Sequence, residues 1–381
     1  MIFSKNYFYA IAILVGTIIG AGIFALPILV SVSGIVPFLL ILGALIGVQC
    51  LFHIMYASVI LSTKGEHRIP GYVEIYFGKK YKKLASLVAL TGGYGGLLAY
   101  VILGGIFSHA LFSPLWGGSI LTYSLLIFSL EAIVVLFGLK VISKVELLMT
   151  ILLLIVAVLV SWKCFNSARI DNFILANWKY SLLLYGPVFF SVGGDAAIPE
   201  VCKLLEKDKG KIKSVILWGT LIAGAITGLF VVAVVGATGG QTTPDTLSGL
   251  QKVLDGKIIF LALAFGLINI MTSFFTGLQA VREIYWWDFK INKYWAWALA
   301  AALPLSLFLL GAQNITSVVS LTGAVTGGAL GIIVIALFRQ ASAKPQIKNS
   351  SLKFSLPKPV SFGLSAMFIL GLCYEAWAIF F

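Results

Sequence analysis

Asp195 is the acidic residue with the clearest capacity for chemistry, because it lies beside two glycines in an apolar stretch, FFSVGGDAAIP. A carboxylate at membrane depth costs free energy and is functional by default. Asp195 could carry a proton, or it could pair with a cationic group of a ligand. Alternatively, it could cap the amide groups of the helix that follows it.

Other polar residues in apolar stretches are weaker candidates. Glu131 could belong to a proton path or could face a polar seam between helices. Glu200 could take part in the function of the Asp195 segment or could pair with Lys203. We assign His53 no role, because a lone histidine in an apolar helix more often satisfies a helix contact. The four cysteines have no metal-like or paired spacing.

Two apolar segments share a glycine five positions before a proline: Gly22 precedes Pro27, and Gly194 precedes Pro199. Glycine frees the backbone from helical geometry and proline removes a donor, so both segments are predicted to unwind. Unwound N–H and C=O groups must face protein or a water-filled cavity. The glycines could instead only pack helices closely, with the prolines kinking them. The matched pair favours a ligand site.

Composition indicates that the elements positioning these residues are membrane-spanning helices. Of the 381 residues, 60% are hydrophobic and 11% are charged, with a mean hydropathy of +1.03, whereas soluble domains carry about 25% charged residues. Apolar runs long enough to cross a bilayer, about 20 residues each, recur along the chain. The sequence therefore predicts an all-α integral membrane protein, with residues 1–381 forming one transmembrane domain and no separate soluble domain.

Apolar runs between polar or Gly/Pro breaks predict eleven transmembrane helices. They lie near residues 8–30, 34–62, 84–112, 118–138, 141–162, 181–202, 213–237, 257–281, 294–311, 314–338 and 360–380. These helices divide into two groups of five, about 8–162 and 181–338, plus an extra helix at about 360–380. Because each group opens with a glycine–proline break, we expect two inverted five-helix repeats.

The net charge of +13 is interpreted as a topology signal, and no nucleic-acid partner is expected. If the N-terminus is cytoplasmic, most of the 27 Lys and Arg residues fall in inside segments. The positive-inside rule then predicts that Lys80 and Lys211 are cytoplasmic, whereas Arg169 and the C-terminus lie outside. We expect a multi-pass protein of the cell (plasma) membrane, with the lipid bilayer as its surroundings.

Four motifs extend over essentially the whole chain: GTIIGAGIFALP at 16–27, GEHRIPGYVEIYFGKKYKK at 65–83, FFSVGGDAAIPEV at 189–201 and TSFFTGLQAVREIYWWDF at 272–289. Together they resemble the tryptophan/tyrosine (aromatic) amino acid permeases, within the amino acid, polyamine and organocation transporter superfamily. The last motif is the more specific one, since the superfamily shares the glycine-rich first motif. The resemblance implies a leucine-transporter-like fold and transport of an amino acid with H⁺ or Na⁺.

An amino acid zwitterion needs donors for its carboxylate and acceptors for its ammonium group. The start of the outer half of the first span, at Gly20, Ala21 and Gly22, would offer main-chain amides and a positive dipole end to the carboxylate. Thr17 could add its hydroxyl or could bond back to its own helix.

The ammonium group would find its acceptors at the second break. Main-chain carbonyls at Ser191, Val192 and Gly193 would accept from it, as the resemblance also suggests. Asp195 could supply the opposite charge. At this position family members often carry an uncharged residue or a histidine, so the sequence departs from the family pattern.

Thr272 and Ser273 are adjacent hydroxyls in the eighth predicted span. The resemblance implies a Na⁺ site in which such a pair joins main-chain carbonyls, corresponding here to Gly16 and Ile19. The alternative is that these small residues only let helices approach closely. The coupling ion therefore stays open between H⁺ and Na⁺, and no cofactor is expected.

The main functional prediction is a secondary active transporter of amino acids, neutral or aromatic, that works by alternating access. An amino acid exchanger is a second possibility. A passive channel or facilitator would need a continuous polar pore rather than two broken helices. An enzyme is not expected, because the sequence lacks HExxH, GxSxG and paired catalytic Asp motifs. The oligomeric state stays open.

Overall fold

The computed structural model describes residues 5–137, 142–344, 352 and 354–380. Within these ranges every regular element is a helix. The fifteen α-helices described there are α1 Lys5–Ile18, α2 Gly22–Ser33, α3 Ile35–Ser62, α4 Ile69–Phe77, α5 Lys79–Trp116, α6 Ile120–Phe137, α7 Ile142–Asn166, α8 Tyr185–Ser191, α9 Ile198–Leu204, α10 Ile212–Thr238, α11 Leu247–Leu250, α12 Gly256–Glu283, α13 Lys293–Leu309, α14 Ile315–Ala343 and α15 Lys358–Phe380.

Long apolar helices confirm the prediction of a helical multi-pass membrane protein. In the described part of the chain, seven helical segments are long and apolar enough to cross a bilayer, or eight if the bent pair α1 and α2 forms one span. Three shorter apolar helices lie at Ile120–Leu136, Lys293–Leu309 and Lys358–Tyr374. The structure also adds α4 and α11, which the search for long apolar runs did not predict because both helices are short.

The first predicted break is present between α1 and α2. Helix α1 ends at Ile18 and α2 begins at Gly22, and the two helices are bent by 50°. Pro27 lies inside α2, one turn beyond its start. The unwound residues between the helices therefore end one half-helix and begin the next in the middle of the bundle.

The second predicted break is present between α8 and α9. Helix α8 ends at Ser191, and a 3₁₀ turn at Asp195–Ala197 leads into α9. Pro199 lies in the first turn of α9. An N–H group at this position would have no acceptor within the helix, so proline costs no hydrogen bond there. Each glycine–proline pair therefore lies at a break in the helix, as the spacing predicts.

The remaining helices hold the two breaks together. Helix α5 packs along α12 and α14, while α1 packs against α7 and α10. Helix α14 also packs against α8 and α3. Both half-helix pairs are therefore enclosed by longer, unbroken helices.

The bundle has two ends that can be identified from side-chain contacts. At one end, the Asn6 side chain donates to Leu204 O and Lys203 bonds Glu66; we call this end the basic face. At the other end, the Arg169 amide donates to Gly236 O. Helix α10 connects the two, since it begins beside Lys211 at the basic face and ends just past Gly236.

Candidate functional site

A cavity of about 170 Å³ lies between the two breaks. Both broken segments and helices α3, α5, α8, α12 and α14 contribute to its wall, which is mostly apolar but includes Tyr100, Thr322 and Thr326. The lining residues used below are Thr17, Gly20, Gly22, Gln49, Arg68, Tyr100, Phe189, Phe190, Gly193 and Asp195. Five of the residues predicted at the two breaks therefore line one cavity, whereas Ala21, Ser191 and Val192 are not among its lining residues.

At the first break the main-chain amides differ in their availability. The Gly20 amide donates to Ile18 O at 2.8 Å, so this predicted carboxylate donor is already engaged. The amides of Ala21 and Gly22 lie at the start of α2, where a helix offers no internal acceptor. Thr17 Oγ1 is buried and has no hydrogen-bond partner in the described residues, so the bond back to its own helix is not formed.

Two glycines at this break permit close contacts that a larger residue would prevent. A Cβ atom on Gly22 would lie 2.7 Å from Ser191 Cα, and one on Gly20 would lie 2.9 Å from the Tyr100 hydroxyl. Neither contact leaves room for a side chain. The two breaks therefore touch each other through the main chain, at Gly22 and Ser191.

At the second break the Ser191 hydroxyl is engaged, since it donates to Pro187 O at 2.7 Å. Val192 is fully buried, and Gly193 lines the cavity. Among the described residues, none of the Ser191, Val192 and Gly193 carbonyls accepts a main-chain hydrogen bond. Of these three predicted acceptors, the Gly193 carbonyl is the one that belongs to a cavity-lining residue.

Asp195 is half-buried and lines the cavity. Its carboxyl group also lies next to its own main-chain amide, at the start of the 3₁₀ turn. A role towards a ligand and a role at the start of the following half-helix are therefore both compatible with its position.

Helix α3 contributes two residues to the second break that the sequence did not assign to the site. Gln49 Nε2 donates to Phe189 O at 3.4 Å, and the Gly194 amide donates to His53 Nε2 at 3.1 Å. His53 thus satisfies a helix contact, as expected, but its partner is the break itself. The available signal was the spacing of Gln49 and His53, which puts two polar residues on one face of an apolar helix.

At the end of the cavity nearest the basic face lies Arg68, a second residue that sequence reasoning missed. Its guanidinium donates twice to Glu283, at 2.8 and 2.5 Å, and once to Ala196 O at 3.0 Å. Burial lowers the pKa of Arg68, but Glu283, Tyr56 and Glu200 together raise it above its ordinary value, so Arg68 stays charged. This residue joins the loop before α4 to the second break and to α12.

Nearby, Lys203 bonds Glu66 at 3.1 Å, whereas the sequence suggested Glu200 as its ion-pair partner. Glu66 and Glu200 lie 134 positions apart in the chain. Only tertiary packing could therefore bring Glu66 to Lys203 as its ion-pair partner.

Beyond the first break, aromatic rings pack around α2. Phe24 packs edge-on against Phe107 and Phe230, with ring centroids 5.0 and 5.9 Å apart. Thr246, just before α11, donates to Phe24 O at 2.6 Å. None of these four residues is among those that line the cavity.

Three of the four predicted ion-site residues, Gly16, Thr272 and Ser273, lie close together beside the first break. Ser273 Oγ donates to Gly16 O at 3.4 Å, while Thr272 Oγ1 donates to Asn269 O at 3.0 Å. A second, much smaller cavity of about 10 Å³, the size of one water molecule, is lined by Gly16, Thr272, Asn269 and Thr150. Ile19 is fully buried, and its amide donates to Val15 O.

Glu131 lies elsewhere. It is fully buried in α6, and neither carboxyl oxygen has a hydrogen-bond partner in the described residues. It is not among the residues that line the two cavities. The structure therefore does not bring this predicted ion-coupling candidate into the site.

Comparison with known proteins adds the family. The model of the tryptophan/tyrosine permease family matches residues 4–352. No curated protein sequence matches the chain significantly.

Solved structures share the fold. The crystal structure of MhsT in complex with L-phenylalanine has a TM-score of 0.73 at 16% identity, covering 99% of this chain and 99% of that one. The structure of Mhp1, a nucleobase-cation-symport-1 family transporter in a closed conformation with bromovinylhydantoin bound, has a TM-score of 0.73 at 13% identity, covering 97% of this chain and 92% of that one. At these identities the similarity establishes a leucine-transporter-like fold.

Proposed function

Because the chain belongs to the tryptophan/tyrosine permease family, we propose that it carries a neutral or aromatic amino acid across the membrane by secondary active transport. The observation that carries the proposal is the cavity between two broken helices. An amino acid needs anion-binding and cation-binding groups a few ångströms apart, and two opposed breaks provide them without burying a net charge.

The substrate carboxylate binds at the first break. The amides of Ala21 and Gly22, at the positive end of α2, donate to it, and Thr17 Oγ1 adds a third donor. The Gly20 amide takes no part, because it donates to Ile18 O.

The ammonium group binds at the second break, where the Val192 and Gly193 carbonyls accept from it. Asp195, on the same wall of the cavity, either pairs with this cation or carries the coupled proton. The substrate side chain lies against apolar lining residues that include Gly96 and Phe190. A Cβ on Gly96 would be in van der Waals contact with the Phe190 ring at 3.9 Å, so glycine at this position keeps that space free for the substrate.

We propose that transport opens the cavity to each side of the membrane in turn, with the two breaks as hinges. The Phe24 rings pack beyond the first break, and the Arg68–Glu283 ion pair lies at the end of the cavity nearest the basic face, so these two clusters are the candidates for the contacts that open and close. Residues 8–162 and 181–338 form the two inverted repeats that move relative to each other, the helix at 360–380 lies outside them, and the basic face is cytoplasmic.

The coupling ion is either Na⁺ or H⁺, and each has a candidate site. Na⁺ would be held by the carbonyls of Gly16 and Ile19 with the hydroxyls of Thr272 and Ser273, which lie beside the small cavity. A proton would be carried by Asp195, with buried Glu131 as a second carboxylate outside the cavity.

The decisive experiment measures uptake of all twenty amino acids into proteoliposomes at two pH values, with and without Na⁺. We expect uphill accumulation of an aromatic or neutral amino acid that collapses when the gradient of one ion is removed. Purely downhill flux would indicate a facilitator instead, and uptake that requires an amino acid inside the liposomes would indicate an exchanger.

A further inference from the structure

Two of the main-chain groups that the second break frees find a partner on α3. In a continuous helix the Gly193 amide would donate to Phe189 O, but it donates to Phe190 O at 3.2 Å instead. Gln49 Nε2 takes its place at Phe189 O, at 3.4 Å. One helical turn further along α3, His53 Nε2 accepts the freed Gly194 amide at 3.1 Å.

These contacts fix the orientation of the Gln49 amide. A carbonyl can only accept, so the side-chain nitrogen must point to Phe189 O and the side-chain oxygen must point elsewhere. Gln49 is 2% exposed, and its Oε1 has no hydrogen-bond partner in the described residues. Gln49 lines the cavity beside Gly193. A buried acceptor without a partner is therefore held in place at the cavity wall.

The surroundings favour a cationic donor for this oxygen. His53 accepts at Nε2, so its proton is on Nδ1, which lies 3.4 Å from Thr220 Oγ1. The imidazole is therefore neutral and does not repel a cation. Two charged side chains line the cavity in the described chain: Arg68, whose charge is paired with Glu283, and Asp195, the one carboxylate there.

We propose that Gln49 is a substrate-binding residue whose Oε1 accepts a hydrogen bond from the ammonium group of the transported amino acid. This inference rests on the proposed function and adds a contact from α3 to the two broken segments. The Gln49 amide nitrogen donates to Phe189 O and so holds Oε1 in position before the substrate binds. Gln49 therefore needs no conformational change on binding.

The test measures binding to the purified full chain by calorimetry with three probes. L-Phenylalanine has both charged groups, phenethylamine lacks the carboxylate and 3-phenylpropionate lacks the ammonium group. Gln49→Met keeps an unbranched side chain but removes the acceptor. We expect the Kd for L-phenylalanine and phenethylamine to rise about 10- to 100-fold, as for a lost hydrogen bond to a charged group, and the Kd for 3-phenylpropionate to stay unchanged.

Ser58→Ala is the matched control. Ser58 lies on the same helix, is 5% exposed and has an unpartnered hydroxyl, but it is not among the residues lining the cavity. It should bind all three probes like the wild type. Equal weakening by Ser58→Ala, an unchanged Kd for L-phenylalanine in Gln49→Met, or equal weakening for 3-phenylpropionate would each overturn the inference.

Gln49→Glu provides a second variant of the same size in case Gln49→Met fails to fold. A carboxyl group at this position can accept from the ammonium group whether it is protonated or ionised, and an ionised one also attracts the positive charge. Gln49→Glu should therefore keep the wild-type preference for phenethylamine over 3-phenylpropionate, or increase it as the pH rises. Loss of that preference would overturn the inference.

The proposed function fails separately, in the wild-type protein. If the wild type binds none of the twenty amino acids, the proposed function is wrong and the inference falls with it. If it binds another amino acid in place of L-phenylalanine, that amino acid and its amine and acid analogues become the probes. Normal wild-type binding with an unaffected Gln49→Met variant overturns the inference alone.

Discussion

Asp195 is a charged side chain at the site for which three roles are possible. It lines the cavity together with groups from both breaks, and it also lies beside the amide at the start of its own 3₁₀ turn. Proton transfer requires titration, whereas binding of a cation requires the negative charge and capping requires only an acceptor. A substitution that preserves shape and removes titration therefore separates the three.

Asp195→Asn should still exchange labelled substrate across the membrane but should lose accumulation driven by a pH gradient. The amide keeps the size and hydrogen bonding of the carboxyl group, so binding survives while proton coupling does not. Both activities are measured in the same proteoliposomes. Wild-type pH-driven accumulation would eliminate the proton-carrier role, and loss of exchange as well would assign the carboxylate to the substrate cation.

Contacts between elements give the site its shape. The start of α2 touches the end of α8 at a point where glycine is required, and Arg68 ties the loop before α4 to the second break and α12. The first contact depends on close main-chain approach and the second on a buried ion pair. Each can be broken by a single substitution, with different consequences.

Gly22→Ala should strongly reduce transport while leaving the protein inserted in the membrane. The added Cβ would lie 2.7 Å from Ser191 Cα, where the two breaks touch. The two breaks must then move apart. Gly43→Ala is the control, since a Cβ there meets nothing within 4 Å. Equal uptake by the two variants would refute the required close contact.

Arg68→Met should lower the melting temperature in detergent by several degrees. The substitution leaves Glu283 buried without its cation, which typically costs about 3–5 kcal/mol. Glu283 is 3% exposed and keeps only the Gln279 amide as a side-chain donor in the described residues. The double variant Arg68→Met/Glu283→Gln should recover much of the loss. No recovery would show that the destabilisation does not arise from the unpaired charge.

At the scale of the whole molecule, the fold separates basic loops from the opposite end. Lys80 and Lys211 lie at the starts of α5 and α10, at the basic face, whereas Arg169 bonds Gly236 near the far end of α10. We propose that these residues lie on opposite sides of the membrane, since α10 runs from one group to the other. The positive-inside rule predicts that the basic face is cytoplasmic.

Single cysteines at positions 80 and 211 should react with a membrane-impermeant thiol reagent only after the membrane is permeabilised, whereas one at 169 should react in intact cells. The background must carry Cys373→Ser, since Cys373 is exposed while Cys50, Cys164 and Cys202 are buried. Labelling of position 80 or 211 in intact cells would reverse the orientation.

The sequence by itself determined the local features of this protein. Apolar length defines the spans, and the glycine–proline pairs define where two of them unwind, because both effects depend only on neighbouring residues. The residues of the two breaks, including Thr17, Gly22, Gly193 and Asp195, could therefore be predicted as candidates, and these four line one cavity.

Only the tertiary structure decided which groups satisfy these breaks. Gln49 and Phe189 are 140 positions apart, His53 and Gly194 are 141, and Arg68 and Glu283 are 215. No pattern along the chain specifies such pairs, because they depend on how α3 and α12 pack against the broken segments. The same packing engages the Gly20 amide and leaves Glu131 away from the cavity, since burial of a polar group depends on its neighbours in space.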